Sequence, residues 1–159
     1  MSPSTEGRFD SKGSTGGPLV VVLSGPSGVG KDLLLSYMRD RSTRWHFVVT
    51  ATTRPQRPGE RDGVDYIFLD HTRFHQMMLK DEFLEYAKVY NYSYGVPRQQ
   101  IYEALERGQD VLVKTDVQGA ATLKKILPDA VFVFLAPPSM DELEHRLRKR
   151  KTESPEQLS

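Results

Sequence analysis

The most constraining stretch of the chain is LVVVLSGPSGVGKDLLL, Leu19 to Leu35, an apolar run followed by a glycine-rich turn and a helix-period segment. An apolar run without alternation suits a strand covered on both faces. The turn Gly25-Pro26-Ser27-Gly28-Val29-Gly30-Lys31 satisfies G-x-x-x-x-G-K at every position. Its glycines let successive backbone N–H groups turn inward, and the helix N-terminus behind them favours anionic oxygen. Lys31 is then placed to reach the β- and γ-phosphates of a nucleoside triphosphate. The bare pattern also occurs in ordinary strand-to-helix turns. The strand before it and the helix after it are the context that marks a phosphate loop.

The residue after the loop lysine is commonly Ser or Thr, whose hydroxyl holds magnesium; here it is Asp32. A carboxylate is a hard oxygen donor and suits Mg²⁺, directly or through water. At a helix start it also meets the helix dipole favourably. Asp32 is therefore the candidate metal residue, and Mg²⁺ arriving with ATP is the expected cofactor.

Downstream, apolar runs alternate with helix-period segments, the pattern of a parallel sheet with covering helices. Strands are expected at Leu19 to Leu23, His46 to Ala51, Tyr66 to Leu69, Phe83 to Val89, Tyr92 to Tyr94, Val111 to Thr115 and Val131 to Leu135. Helices are expected at Lys31 to Met38, His71 to Leu79, Pro97 to Arg107, Ala120 to Leu127 and Asp141 to Lys151. The segment TTRPQRPGERDGVDY is too rich in Pro, Gly and charge to read as packed interior. Residues 1–17, polar and Gly/Ser-rich, read as a disordered leader, with an organelle-targeting remnant, which Glu6 and Asp10 disfavour, as the alternative.

The totals exclude several classes. The chain has 22 basic and 21 acidic residues, so no net field argues for nucleic acid or an acidic membrane as partner. It has no cysteine, which removes disulfides, thiolate metal sites and cysteine nucleophiles together. No apolar stretch approaches the ~20 residues that span a bilayer. These totals point to a soluble cytoplasmic enzyme of one domain, and carry no signal for an oligomeric state.

Specificity must come from elsewhere than the loop. Arg54 and Arg57 stand three apart on a Pro-stiffened segment. Guanidinium pairs bind phosphate bidentately, and Tyr66 can donate its hydroxyl to the same group. Read alone, the segment equally suits a solvated turn with ordinary surface charges. In FLEYAKVYNYSYG, Glu85 falls in an aromatic, half-buried strand pattern. Guanine offers N1–H and N2–H₂ side by side to such a carboxylate, and adenine does not. A site built around that pairing rejects the wrong base because its buried acceptor goes unpaired. Most of the tyrosines here, Tyr86, Tyr90 and Tyr92 among them, read as core packing.

Taken together, SGPSGVGK, TATTRPQRPGERDGVDY, FLEYAKVYNYSYG and DVQGA, in this order and spacing, resemble guanylate kinase. The GKD form of the loop and DVQGAATLKKIL are most similar to the plant-plastid and bacterial branch. The resemblance implies an α/β P-loop NTPase fold with a parallel sheet flanked by helices, a small β-rich GMP-binding insert and a lid. It implies a core over 18–50 and about 96–145, the insert over about 51–95 and a partial lid over about 146–159. It implies transfer of the γ-phosphoryl of ATP to GMP or dGMP.

The residues carried over are these. Gly25 to Asp32 would hold ATP phosphate. Arg54, Arg57, Tyr66 and Tyr94 would grip the GMP phosphate, while Glu85 and Thr50 would read guanine. Asp116 would support the guanine side, and Lys114 stands where the family has an acid near the metal. Arg146 and Arg150 align with lid arginines that act, with Lys31 and Arg54, on the migrating phosphoryl group. The family continues past Ser159 with another lid arginine and core elements, so the chain reads as C-terminally truncated. The alternatives are an impaired guanylate-kinase-like fragment or a binding module of that fold. A P-loop kinase acting on a phosphosugar would have no need of Glu85.

Overall fold

A computed structural model describes residues 17–150, without the side chains of Leu143, Leu147 and Arg150. The expected leader up to residue 16 and the lid beyond 150 lie outside the described residues. The elements run β1 (Val20–Ser24), α1 (Lys31–Arg41), β2 (Trp45–Phe47), β3 (Ala51–Thr52), β4 (Ile67–Phe68), α2 (His71–Leu79), β5 (Phe83–Val89), β6 (Tyr92–Pro97), α3 (Arg98–Glu106), β7 (Asp110–Lys114), α4 (Val117–Ile126), β8 (Val131–Phe134) and α5 (Met140–Arg150).

Two sheets result. The first has order β2-β7-β1-β8 and is parallel throughout. Strand period sorts its side chains to two faces. Val22, Val111 and Val113 join Ile101 and Ala104 of α3 and Leu123 of α4 in one cluster. Leu23 and Leu112 point the other way, onto Leu35, Leu34 and Met38 of α1. Burying a side chain of this size contributes roughly 1.5–3 kcal/mol, so β1 is fixed from both sides and its C-terminal end presents the glycine-rich turn. This is the flanked parallel sheet of an α/β P-loop fold.

The second sheet has order β4-β3-β6-β5, with β3 parallel to β4 and antiparallel to β6. Its core is Ala51, Phe74 and Phe83, with Met77 and Met78 of α2 and Ile67 and Leu69 around them. Asp70 caps α2 by accepting from Arg73 N at 2.7 Å.

Three local expectations are corrected. The single strand over His46 to Ala51 is two: Trp45–Phe47 belongs to the first sheet and Ala51–Thr52 to the second. Between them the Gln100 side-chain amide serves Val49, accepting from its N at 2.8 Å and donating to its carbonyl at 3.0 Å. A helix side chain thus satisfies the main chain where it leaves one ladder for the other. The start of the Pro- and Gly-rich segment is also packed: Thr52 is 0% and Arg54 6% exposed. Thr52 Oγ1 donates to the Ser93 carbonyl and accepts from Arg54 N, which lets polar residues enter the interior. Finally, Tyr86 and Tyr90 are not core residues. Tyr86 occupies an outward position of β5, and Tyr90 has φ 55° in the turn before β6.

Candidate active site

The loop between β1 and α1 is built for an anion. Gly28 and Gly30 take φ of 81° and 108°, and Gly30, which has no side chain to cap with, is the N-cap of α1. A helix N-terminus reached through such a turn favours anionic oxygen. Lys31 Nζ donates to the Gly25 carbonyl at the start of the loop, so the ammonium folds back across it. Pro26, Ser27 and Val29 complete the turn, which Val29 N closes onto the Pro26 carbonyl at 3.3 Å. Arg146 reaches the same turn from α5, donating through Nη1 to the Val29 carbonyl at 3.1 Å and through Nε to Glu142 at 3.1 Å. The Arg150 side chain lies outside the described residues.

Asp32, in the first turn of α1, has a 61% exposed side chain. Its Oδ1 accepts from Lys114 Nζ, which comes from the C-terminal end of β7. Lys114 also donates to the Tyr66 hydroxyl at 3.2 Å. Burial works against the ammonium, but Tyr66 and Asp32 outweigh it and hold Lys114 above the usual lysine range.

A second cluster gathers on the segment before β4. Arg54 makes a bidentate pair with Glu60, Nη1 to Oε1 at 2.9 Å and Nη2 to Oε2 at 2.8 Å. Glu60 Oε1 also accepts from Arg57 N at 2.7 Å. Burial opposes the Arg54 charge, yet the bond and field of Glu60, with Tyr94 and Tyr66, raise it above even the ordinary arginine range. Burial raises Glu60, and the bonds from Arg54 and Arg57 more than reverse this, leaving it below the usual carboxylate range. The Arg54 guanidinium lies 5.1 Å from the Tyr66 ring centroid, and Tyr66 meets Tyr94 edge-on at 6.2 Å. Arg54, Tyr66 and Tyr94 are thus one cluster, and Arg57 joins it through its main chain.

The base-side candidates are buried, and Glu85 and Thr50 each carry an unsatisfied atom. Glu85 on β5 is 5% exposed and Thr50, just before β3, is 7% exposed. Glu85 Oε1 and Thr50 Oγ1 have no hydrogen-bond partner among the described residues. Burial, and then the charge of Asp116, push the Glu85 carboxyl up to about 7. Asp116 is itself fixed, capping α4 by accepting from Gly119 N at 2.7 Å. At Gly119 a Cβ would stand 2.0 Å from Thr115 Oγ1 and 3.1 Å from Glu85 Oε2, so only glycine lets α4 start this close to the carboxylate. An orphaned buried carboxylate costs stability, and a ligand with matching donors recovers it.

Glu60, Gln100 and Gly119 were not singled out by sequence reasoning. Glu60 had a visible signal, an acid inside the otherwise basic TTRPQRPGE run.

The chain as a whole is similar to known proteins of one family. The guanylate kinase family description matches residues 18–159. The chain belongs to the guanylate kinase family. It is 49% identical over 138 residues to a guanylate kinase of Carboxydothermus hydrogenoformans, covering 87% of this chain and 68% of that one. It is 46% identical over 142 residues to "Guanylate kinase 2, chloroplastic/mitochondrial" of Oryza sativa subsp. japonica, covering 89% of this chain and 50% of that one. The crystal structure of guanylate kinase from Anaplasma phagocytophilum superposes with a TM-score of 0.69 at 35% identity, covering 82% of this chain and 66% of that one. The chain thus spans between 50% and 68% of the length of these relatives.

Proposed function

We propose that the chain carries out the chemistry named for its family, moving the γ-phosphoryl group of ATP to GMP or dGMP and giving ADP and GDP or dGDP. The observation that carries this reading is that Glu85 Oε1 and Thr50 Oγ1 are buried polar atoms without a hydrogen-bond partner among the described residues. Guanine supplies the adjacent N1–H and N2–H₂ that a buried carboxylate lacks. Adenine supplies no such pair, so the same burial that raises Glu85 penalises the wrong base.

The other clusters take their places around that reader. Arg54, Arg57, Tyr66 and Tyr94 hold the GMP phosphate, with Glu60 keeping the Arg54 fork in position. Asp116 fixes the N-terminus of α4 behind Glu85. The loop from Gly25 to Lys31 holds the ATP phosphates on main-chain N–H groups, and the Lys31 ammonium transfers from the Gly25 carbonyl to phosphate oxygen. Arg146, docked on the loop at Val29, and Arg150 are the lid cations. A GMP phosphate oxygen attacks the γ-phosphorus in line, the bond to the β–γ bridging oxygen breaks, and ADP leaves with its electron pair. The loop N–H groups and cations stabilise the charge that spreads over the oxygens during transfer.

Mg²⁺ fits the donor set. No group of three His, Cys, Asp or Glu gathers among the described residues, and Asp32 offers one largely exposed carboxylate beside the loop. One or two carboxylates with phosphate and water oxygens are what Mg²⁺ normally takes. Asp32 would hold it directly or through water, and the ion when bound supplies charge neutralisation to the ATP phosphates. Among the described residues no helix is long and apolar enough to cross a membrane, and a cytoplasmic location is part of the proposal.

Coupled measurement of ADP formation tests the reading. ADP should form with ATP, Mg²⁺ and GMP or dGMP, and not when AMP replaces them. ADP formed equally with GMP, AMP and no acceptor would contradict it.

A further inference from the structure

Lys114 stands where two otherwise separate clusters meet. Its ammonium donates to Asp32, in the first turn after the phosphate loop, and to the Tyr66 hydroxyl at 3.2 Å. It also lies 4.5 Å from the Tyr66 ring centroid. The three residues come from α1, the segment before β4 and the end of β7, where Lys114 pairs in register with Leu23 of β1. The Lys114 side chain is 13% exposed and that of Asp32 61%, so the cation is enclosed while its carboxylate partner faces solvent.

We propose that Lys114 is a positioning residue that couples the two nucleotide sites, shared between Asp32 on the phosphate-loop side and Tyr66 on the acceptor side. The proposal rests on the functional reading above. A hydroxyl oxygen that accepts from an ammonium is polarised and keeps its own proton to donate. Lys114 therefore both aims the Tyr66 hydroxyl and strengthens it as a donor to an acceptor phosphate. Asp32 competes for the same ammonium. When triphosphate and its metal engage Asp32, the competition ends, Lys114 turns wholly to Tyr66, and the acceptor phosphate is held more tightly. Occupation of one site thus sets the affinity of the other through a single side chain. By linkage the effect is reciprocal, and couplings of this kind are worth roughly 5- to 150-fold.

The test is calorimetric titration of GMP into the full chain, with and without Mg²⁺ and a non-hydrolysable ATP analogue. In the wild type the analogue should tighten GMP binding about 5- to 10-fold, at the low end of such couplings. Lys114→Met should weaken GMP without the analogue and abolish the tightening. Asp32→Asn should act in the opposite sense, tightening GMP without the analogue because Lys114 is released, and leaving nothing further for the analogue to add. A purely structural role for Lys114 would not produce these opposite signs. Tightening in Lys114→Met equal to that in the wild type would overturn the coupling, as would both variants shifting GMP affinity the same way. Wild type that binds GMP no better than AMP would instead overturn the functional reading on which the coupling rests.

Discussion

Replacing Glu85 by Gln should make the empty protein more stable at alkaline pH and a poorer ligand for GMP. Glu85 is 5% exposed, its Oε1 has no partner among the described residues, and its carboxyl is pushed up to about 7 from an ordinary 4.5. The folded state therefore holds this proton more tightly than the unfolded chain does. Its contribution to stability is fully present below pH about 4.5 and is lost as pH rises through about 7. A shift of that size is worth about 3 kcal/mol between the two limits. Glu85→Gln carries no charge at either pH and escapes the loss. Urea unfolding, followed by circular dichroism and by the single tryptophan, Trp45, gives the assay. The stability of Glu85→Gln relative to wild type should rise by about 3 kcal/mol from pH 4.5 to pH 8, a midpoint gain of at least about 1 M urea at typical slopes. GMP should restore the balance, because guanine donors favour the carboxylate and release its proton on binding near pH 6. A stability difference that stays flat with pH would refute the burial argument.

Further expectations follow from the same geometry. Glu60→Gln removes the charge opposite a guanidinium whose side chain is 7% exposed, and should cost about 3 kcal/mol at neutral pH, measured by urea unfolding. Glu60 is held below its ordinary range, so its contribution is present above that range and disappears on acidification through the folded value; the variant's deficit should therefore shrink in acid. Gln100→Leu strips both side-chain bonds from Val49 and should cost about 2 kcal/mol, with faster amide exchange at Val49 as the local readout.

What was legible in the sequence was what local physics decides. The strand–turn–helix around the glycine-rich loop could be read because its three parts are written consecutively from Leu19 to Leu35. The strand over His46 to Ala51 was not read as two, because what divides it is Gln100, distant in sequence and matched to Val49 only by the packing of α3. Arg54 stood out in the sequence as a candidate, but its burial did not, since that depends on Glu60 forming the fork and on Thr52 satisfying the adjacent main chain. Lys114 was visible as a departure from the family pattern. Its contacts with Asp32 and Tyr66 arise only when β7 lies beside β1, a long-range pairing that no spacing rule states. Tyr86 and Tyr90 were misread because aromatic strands suggest interior, whereas outward alternation and a turn set their exposure.

The most direct test of the central claim is calorimetric titration of the folded chain with GMP and, separately, with AMP. GMP binding with no detectable AMP binding, lost on Glu85→Gln, is the predicted result and ties the orphaned carboxylate to guanine. Equal affinity for the two nucleotides, or GMP binding indifferent to Glu85→Gln, would contradict it.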